Sequence, residues 1–221
     1  MIDRATWRSA AALAVVGLGA GCIRGSLPPR EYYRLAPADS VSLARRDAVP
    51  PPLSGAITIA HYDTPGIYGS GGIVYRVGVA QYGTYPSREW AIPLGEMLGA
   101  LTESVMRARP LTSGQVVFDP GASRGEEYAW RGAVREFDEV DAPGSVSAAV
   151  SLAVQLVRLA DDSVVWSGSA RVVEPVAISR SMGSVVEALS AAAARVVTRL
   201  VDDAATALRG VAASRAQTPG S

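Results

Sequence analysis

A serine in a glycine-flanked motif, a single histidine and a single cysteine set the limits of the chemistry available to this chain. Ser123 sits in Gly121-Ala-Ser-Arg-Gly125, the Gly-x-Ser-x-Gly spacing of a nucleophile elbow. That motif acts on a sharp strand-to-helix turn, with a histidine later in the chain as the base. Here Pro120 precedes it, a strand-like run follows, and His61 lies upstream, so these residues read as a surface turn. With one histidine, most zinc sites and most imidazole acid–base schemes drop out, and His61 itself reads as a structural or exposed residue at a strand end. Gly69-Ser-Gly-Gly72 lacks the Lys-Ser/Thr and the following helix of a phosphate loop. The carboxylate doublets Glu126-Glu127, Asp161-Asp162 and Asp202-Asp203 do not converge on one ion or bond, because adjacent strand residues point to opposite faces. We therefore expect no catalytic residue, no metal site and no cofactor.

The one site with a strong sequence signature is Cys22. Arg4 and Arg8 form a positive n-region, Ala10 to Leu18 is apolar, and Gly19-Ala20-Gly21 leads into the cysteine. This is the charge, length and cleavage chemistry of a secretory signal, and it is shorter than the roughly 20 apolar residues that span a ~30 Å hydrocarbon core. The cysteine directly after Gly-Ala-Gly indicates a lipoprotein signal over residues 1–21, although Leu18 sits one position earlier than in the common Leu-Ala pair. The competing reading is an ordinary signal peptide with an incidental cysteine. Acylation of Cys22 would hold the domain to a membrane by lipid alone, with residues 22–29 as tether, and would leave no thiol for a disulfide or metal. Ile23 is not the aspartate that retains enteric lipoproteins at the inner membrane, which favours the periplasmic face of the outer membrane.

Composition narrows the rest. Nearly half of the 221 residues are apolar and the formal net charge is zero, the balance of a globular domain. A phosphate-binding surface would show as a basic excess, so nucleic acid is not an expected partner. All the basic side chains are arginine; there is no lysine.

Local periodicity predicts the elements. Glu31 to Leu35, Gly55 to His61, Ile73 to Val77 and Gln115 to Phe118 read as short strands. Ala38 to Ser54, with Pro50-Pro51-Pro52, reads as an extended linker, and Gly66 to Gly72 as a glycine-rich loop. Tyr82 to Tyr85 pairs back on the 73–77 strand. Trp90, Leu94, Met97, Leu98, Leu101 and Val105 recur at helical spacing, predicting a helix from about Ala91 to before Pro110 with Pro93 in its first turn. Longer strands follow at Tyr128 to Phe137, Val146 to Leu159 and Val164 to Val173. Asp138 to Gly144 reads as an acidic turn, and 160–163 as the tight turn of an antiparallel hairpin. Every second residue from Val146 to Leu156 is apolar, a buried face. A last helix is predicted with Ser184 and Glu187 as capping box and a stripe of Val186, Leu189, Ala193, Val197 (or Val196), Leu200 and Ala204. The domain is placed at 30–208 and a flexible tail at 209–221. The expected architecture is α+β: one domain, a mixed and mostly antiparallel sheet with two helices packed on one face. Tyrosines cluster around the loop region, and Tyr68, Tyr82 and Tyr85 are the expected partner-facing residues, since tyrosine is favoured at interfaces.

Short pieces along the chain resemble the ABC-type transport auxiliary lipoproteins, the PqiC-like family attached to MCE-type lipid transporters. They are Tyr32-Tyr33-Arg34-Leu35, Ile73-Val74-Tyr75-Arg76, Tyr85…Trp90-Ala91…Pro93-Leu94, Gly132…Glu136-Phe137-Asp138 and Val185-Val186-Glu187-Ala188-Leu189-Ser190. Their order and spacing over about residues 30 to 205 carry the resemblance. It implies a non-enzymatic, lipid-anchored accessory subunit. Its partners would be an MCE-domain protein, a permease and an ATPase, and its role would be to maintain the outer membrane through contacts with protein and lipid. Homo-oligomerisation is left open. The alternative is an interaction module of another envelope machine, such as lipopolysaccharide assembly or a Tol-like complex.

Overall fold

The structure, a computed structural model, describes residues 29–36, 50–118, 127–177 and 181–216. The signal segment, Cys22, the Gly121–Gly125 motif and most of the 38–54 linker lie outside these residues. Eight strands form one sheet among the described residues: β1 (Glu31–Tyr33), β2 (Ile57–Ile59), β3 (Gly72–Val77), β4 (Gln81–Trp90), β5 (Val116–Phe118), β6 (Tyr128–Ala142), β7 (Ser145–Arg158) and β8 (Ser163–Pro175). Helix α1 (Leu94–Ala108) follows β4, and α2 (Met182–Ala216) closes the chain.

Strand β6 is the spine. Along one edge it pairs antiparallel with β7 over its full length. Its other edge is shared: β2 lies parallel to residues 128–130, and β3 parallel to 139–141. Beyond β3 come β4, antiparallel, and β1, parallel; beyond β2 comes β5, parallel. The sheet is α+β and mixed, as expected. Each of the four parallel ladders is three residues long, so the antiparallel ladders make up most of the paired length.

The fork between β2 and β3 is filled by the chain itself. Asp63 bridges to Ala133: its N–H donates to the Gly132 carbonyl at 2.8 Å, and Val134 N–H donates back to the Asp63 carbonyl at 2.8 Å. The preceding Tyr62 is buried, with its hydroxyl between Thr102 Oγ1 of α1 at 2.8 Å and Trp130 Nε1 of β6 at 3.0 Å. Both glycines beside it are required by space. A Cβ on Gly132 would stand 2.2 Å from the Tyr62 ring, and one on Gly95 of α1 would stand 2.2 Å from the Tyr62 carbonyl oxygen.

Both helices cover one face and touch each other. The even residues of β7 from Val146 to Leu156 are buried, and the α2 stripe of Leu189, Val197, Leu200 and Ala204 lies on β7 and β8 with no exposure among its four members. Ala188, Ala192 and Ala193 of the same helix are also buried. Trp130 stacks on Trp166 at 5.7 Å and Trp90 meets Phe137 edge-on at 5.9 Å. Arg109 at the end of α1 pairs with Asp202 of α2 at 2.7 Å.

Several expectations need correction. Trp90 belongs to β4, not to α1: its N–H donates to Gly71 across the hairpin at 2.8 Å, and the helix starts only at Leu94, with Pro93 as N-cap residue in extended conformation. Asp138 to Gly144 is not a turn. β6 continues to Ala142, and the reversal is confined to Pro143-Gly144, where Gly144 takes a φ of 84°. The helix cap is Ser181, whose Oγ accepts the Ser184 N–H at 3.1 Å, while the Ser184 hydroxyl donates to the Ser181 carbonyl at 2.8 Å. Residues 209–216, assigned to the tail, continue α2.

Leu200→Asp would place a carboxylate with no partner between α2 and the sheet. We expect it to lower the unfolding free energy by several kcal/mol, read by urea titration. An unchanged midpoint would mean that this stripe is not core.

Candidate functional site

The face of the sheet opposite the helices carries the densest set of charged groups. Antiparallel and parallel partners share a face, so the registers place Arg76 of β3, Glu136 and Asp138 of β6 and Arg171 of β8 side by side across four strands. Arg76 Nε donates to Asp138 Oδ2 at 2.9 Å, and its Nη2 donates to Glu136. Arg171 closes on the same Glu136 with bonds of 2.5 and 3.1 Å. Tyr68, from a 3-10 turn over Gly66–Ser70, donates its hydroxyl to the other oxygen of Asp138 at 2.9 Å. The Arg76 guanidinium lies 5.8 Å from the Tyr82 ring centre.

Asp138 has no exposed surface. Burial pushes its carboxyl above the usual carboxylate range, and the Arg76 and Tyr68 hydrogen bonds pull it back only in part. Burial and the bond to Asp138 raise the Tyr68 hydroxyl well beyond its ordinary value. On the helix side, Tyr85 repeats the device. Its hydroxyl donates to the buried Glu139 at 2.7 Å, its ring packs 5.0 Å from Tyr75, and burial followed by that bond raises its pKa in the same way.

Of the tyrosines expected to face a partner, Tyr82 is exposed, whereas Tyr68 and Tyr85 are half-buried with hydroxyls committed to carboxylates. Cys22 and Ser123 lie outside the described residues. His61 is exposed at the end of β2, 5.4 Å from the Phe118 ring. The carboxylate doublets divide between separate partners. Asp161 accepts from Ser163 while Asp162 meets Arg131 at 3.4 Å; Asp202 meets Arg109, and Asp203 lies 3.9 Å from Arg199. Among the described residues no group of three or more His, Cys, Asp or Glu side chains could hold a metal ion.

Sequence reasoning missed the Arg76–Asp138–Glu136–Arg171 network. The available signal was an arginine inside the apolar run Ile73 to Val77 and a carboxylate pair flanking Phe137. These are also pieces of the resemblance noted above, and the fold brings those pieces together. Tyr33 stands opposite Trp90 in the β1–β4 register, Arg76 meets Glu136 and Asp138, and Ser190 Oγ accepts the N–H of Ala36, one residue past Leu35, at 3.0 Å.

The arrangement is that of an α+β domain whose two helices share one face of a forked sheet and whose opposite face is knit by paired charges. The chain belongs to the family of ABC-type transport auxiliary lipoprotein components, whose model matches residues 33–201. No curated protein matches the sequence. A crystal structure of a Xanthomonas campestris protein is similar at 23% identity and a TM-score of 0.66, covering 83% of this chain and 99% of that one. Another, of an uncharacterized protein, is similar at 15% identity and a TM-score of 0.60, covering 80% of this chain and 99% of its own. Both likenesses are of fold. The protein is thus an accessory lipoprotein by family, and among the described residues no helix is long and apolar enough to cross a membrane.

Two measurements test this network. Tyr68→Phe removes one donor from a buried carboxylate and should lower stability by about 1–2 kcal/mol. Because the Asp138 carboxyl titrates above its ordinary value of 3.8 when folded, the folded state holds the proton more tightly than the unfolded one. Its contribution to stability therefore falls as pH rises from 3.8 through the folded value. The difference in unfolding free energy between wild type and Asp138→Asn should narrow over that window and then level off. A difference that widens with pH would mean that Arg76 outweighs burial.

Proposed function

We propose that this protein is a non-enzymatic accessory subunit of an MCE-type ABC lipid-transport system. It is acylated at Cys22 and held by lipid at the periplasmic face of the outer membrane, where it docks an MCE-domain protein working with a permease and an ATPase. The observation that carries the reading is the family match over residues 33–201, which spans nearly the whole domain. The side chains support a binding role. Arg76, Glu136, Asp138, Arg171 and Tyr68 are engaged with one another, and Tyr85 with Glu139, in structural pairs, so their chemistry maintains a surface and leaves no poised base among them beside a nucleophile. Exposed Tyr82, held under the Arg76 guanidinium, is the best placed of the expected partner-facing tyrosines, because its ring is presented at low entropic cost.

Replacing the acylated residue, Cys22→Ser, should shift the protein from the membrane fraction to a soluble or unprocessed form. A serine variant that still fractionates like wild type would remove the anchor. Affinity capture of the acylated protein should recover an MCE-domain protein; lipopolysaccharide-assembly or Tol-type proteins in its place would point to another envelope machine. Deleting the gene should sensitise the outer membrane to detergent, and Ser123→Ala should restore resistance fully. A failure of that variant at normal protein level would return Ser123 to consideration as a nucleophile.

A further inference from the structure

We infer that the end of the sheet bearing the β3–β4 and β6–β7 turns rests on the bilayer that holds the Cys22 lipid. This inference rests on the anchor reading above. The two turns stand side by side: Val77 is in register with Asp141, and Gly78 N–H points to the Asp141 carbonyl. Val79 is 91% exposed, Val77 and Tyr82 are each more than 40% exposed, and Ala80 and Pro143 are also exposed. Residues 77–81 and 142–145 contain no charged side chain. An aliphatic residue exposed at the tip of an uncharged turn suits the boundary between headgroups and acyl chains.

The direction of β1 selects this end over the others. β1 lies parallel to β4, with Glu31 opposite Arg88 and Tyr33 opposite Trp90. The N-terminal end of β1 therefore faces along β4 toward Gln81 and the turn that carries Val79. Nine peptide units join Cys22 to Glu31, a reach of at most about 32 Å. The β3–β4 register shifts between Gly72 and Val74, so the stretch from Glu89 to Gln81 lies opposite only the strand from Gly72 to Val77, roughly 17 Å at full strand rise. The reach of the tether therefore covers the level of the turn tips. A tether bound for the opposite end of the sheet, at Tyr128, would have to reverse direction and lose length in the reversal. Asp141 is exposed beside Val77 and limits the contact to the turn tips, because an ionised carboxylate stays on the water side.

The test uses the acylated full-length protein in vesicles of phosphatidylethanolamine and phosphatidylglycerol. Acylation occupies the only native thiol, so Val79→Cys offers one site for an environment-sensitive fluorophore, and Ser167→Cys, on an exposed part of β8 remote from both turns, serves as control. We expect a blue shift at position 79 and loss of its emission to quencher-bearing lipid, with position 167 unaffected. Protein that pellets with the vesicles while the label at 79 stays water-exposed keeps the anchor and overturns this orientation. A blue shift at 79 that lipid quenchers do not touch overturns it in favour of a second protein copy on the tips. Protein that stays in the supernatant overturns the anchor reading, and the orientation with it.

Discussion

A strand has two edges, and β6 has to satisfy three partners with them. It does so by giving one half of an edge to β2 and the other half to β3, which leaves a stretch in the middle where neither ladder reaches. Buried backbone groups there would cost free energy if left unpaired. The Tyr62–Asp63 segment supplies the missing bonds, and the Tyr62 hydroxyl ties the fork to both α1 and β6. The rest of the domain depends on this crossing. α1 can sit where it does because Gly95 admits the Tyr62 carbonyl, and the chain can run back over β6 because Gly132 admits its ring.

The second constraint is electrostatic. Carrying β6 through Asp138 and Glu139 buries two carboxylates in one strand, which is unfavourable unless each is paired and hydrogen-bonded. The fold places Arg76 and Tyr68 on one face and Tyr85 on the other. Each partner comes from the segment between β2 and the end of β4. The polar side chains of the loop region and the length of β6 are therefore one problem solved once, and two of that region's tyrosines, Tyr68 and Tyr85, serve it.

Elements with strong periodicity were legible in the sequence. The alternation from Val146 to Leu156 and the stripe from Val186 to Ala204 each report a single buried face, and the structure has both. What could not be read locally depended on residues far away along the chain. Asp138 to Gly144 has the composition of a turn, and its carboxylates are accommodated in a strand by Arg76, Tyr68 and Tyr85, more than fifty residues distant. Trp90 satisfies a helical spacing, yet its N–H is claimed by Gly71 and Pro93 delays the helix. Ser184 and Glu187 match a capping pattern, but Ser181 reaches the orphan N–H first. The charged network was hidden for the same reason: its members sit on β3, β6 and β8, and nothing in their local spacing links them. The ordered pieces that resemble the transport auxiliary lipoproteins were visible, and the register between β1 and β4, the Arg76 pairs and the Ser190 contact show why such pieces belong together.

The short parallel ladder of β1 also has a mechanical meaning. If the lipid on Cys22 holds the chain, any load between membrane and domain enters through Glu31 to Tyr33 along the strand axis. Backbone hydrogen bonds in that geometry are strained together in shear and do not open one by one as in peeling. They are reinforced at the far end, where Ala91 N–H donates to the Tyr33 carbonyl at 2.8 Å and Ala36 N–H reaches Ser190 on α2. A three-residue strand at the edge of a sheet would be a weak tie under peeling. Pulled lengthwise, and stitched to α2 just beyond its end, it becomes the hinge pin through which the whole domain is held.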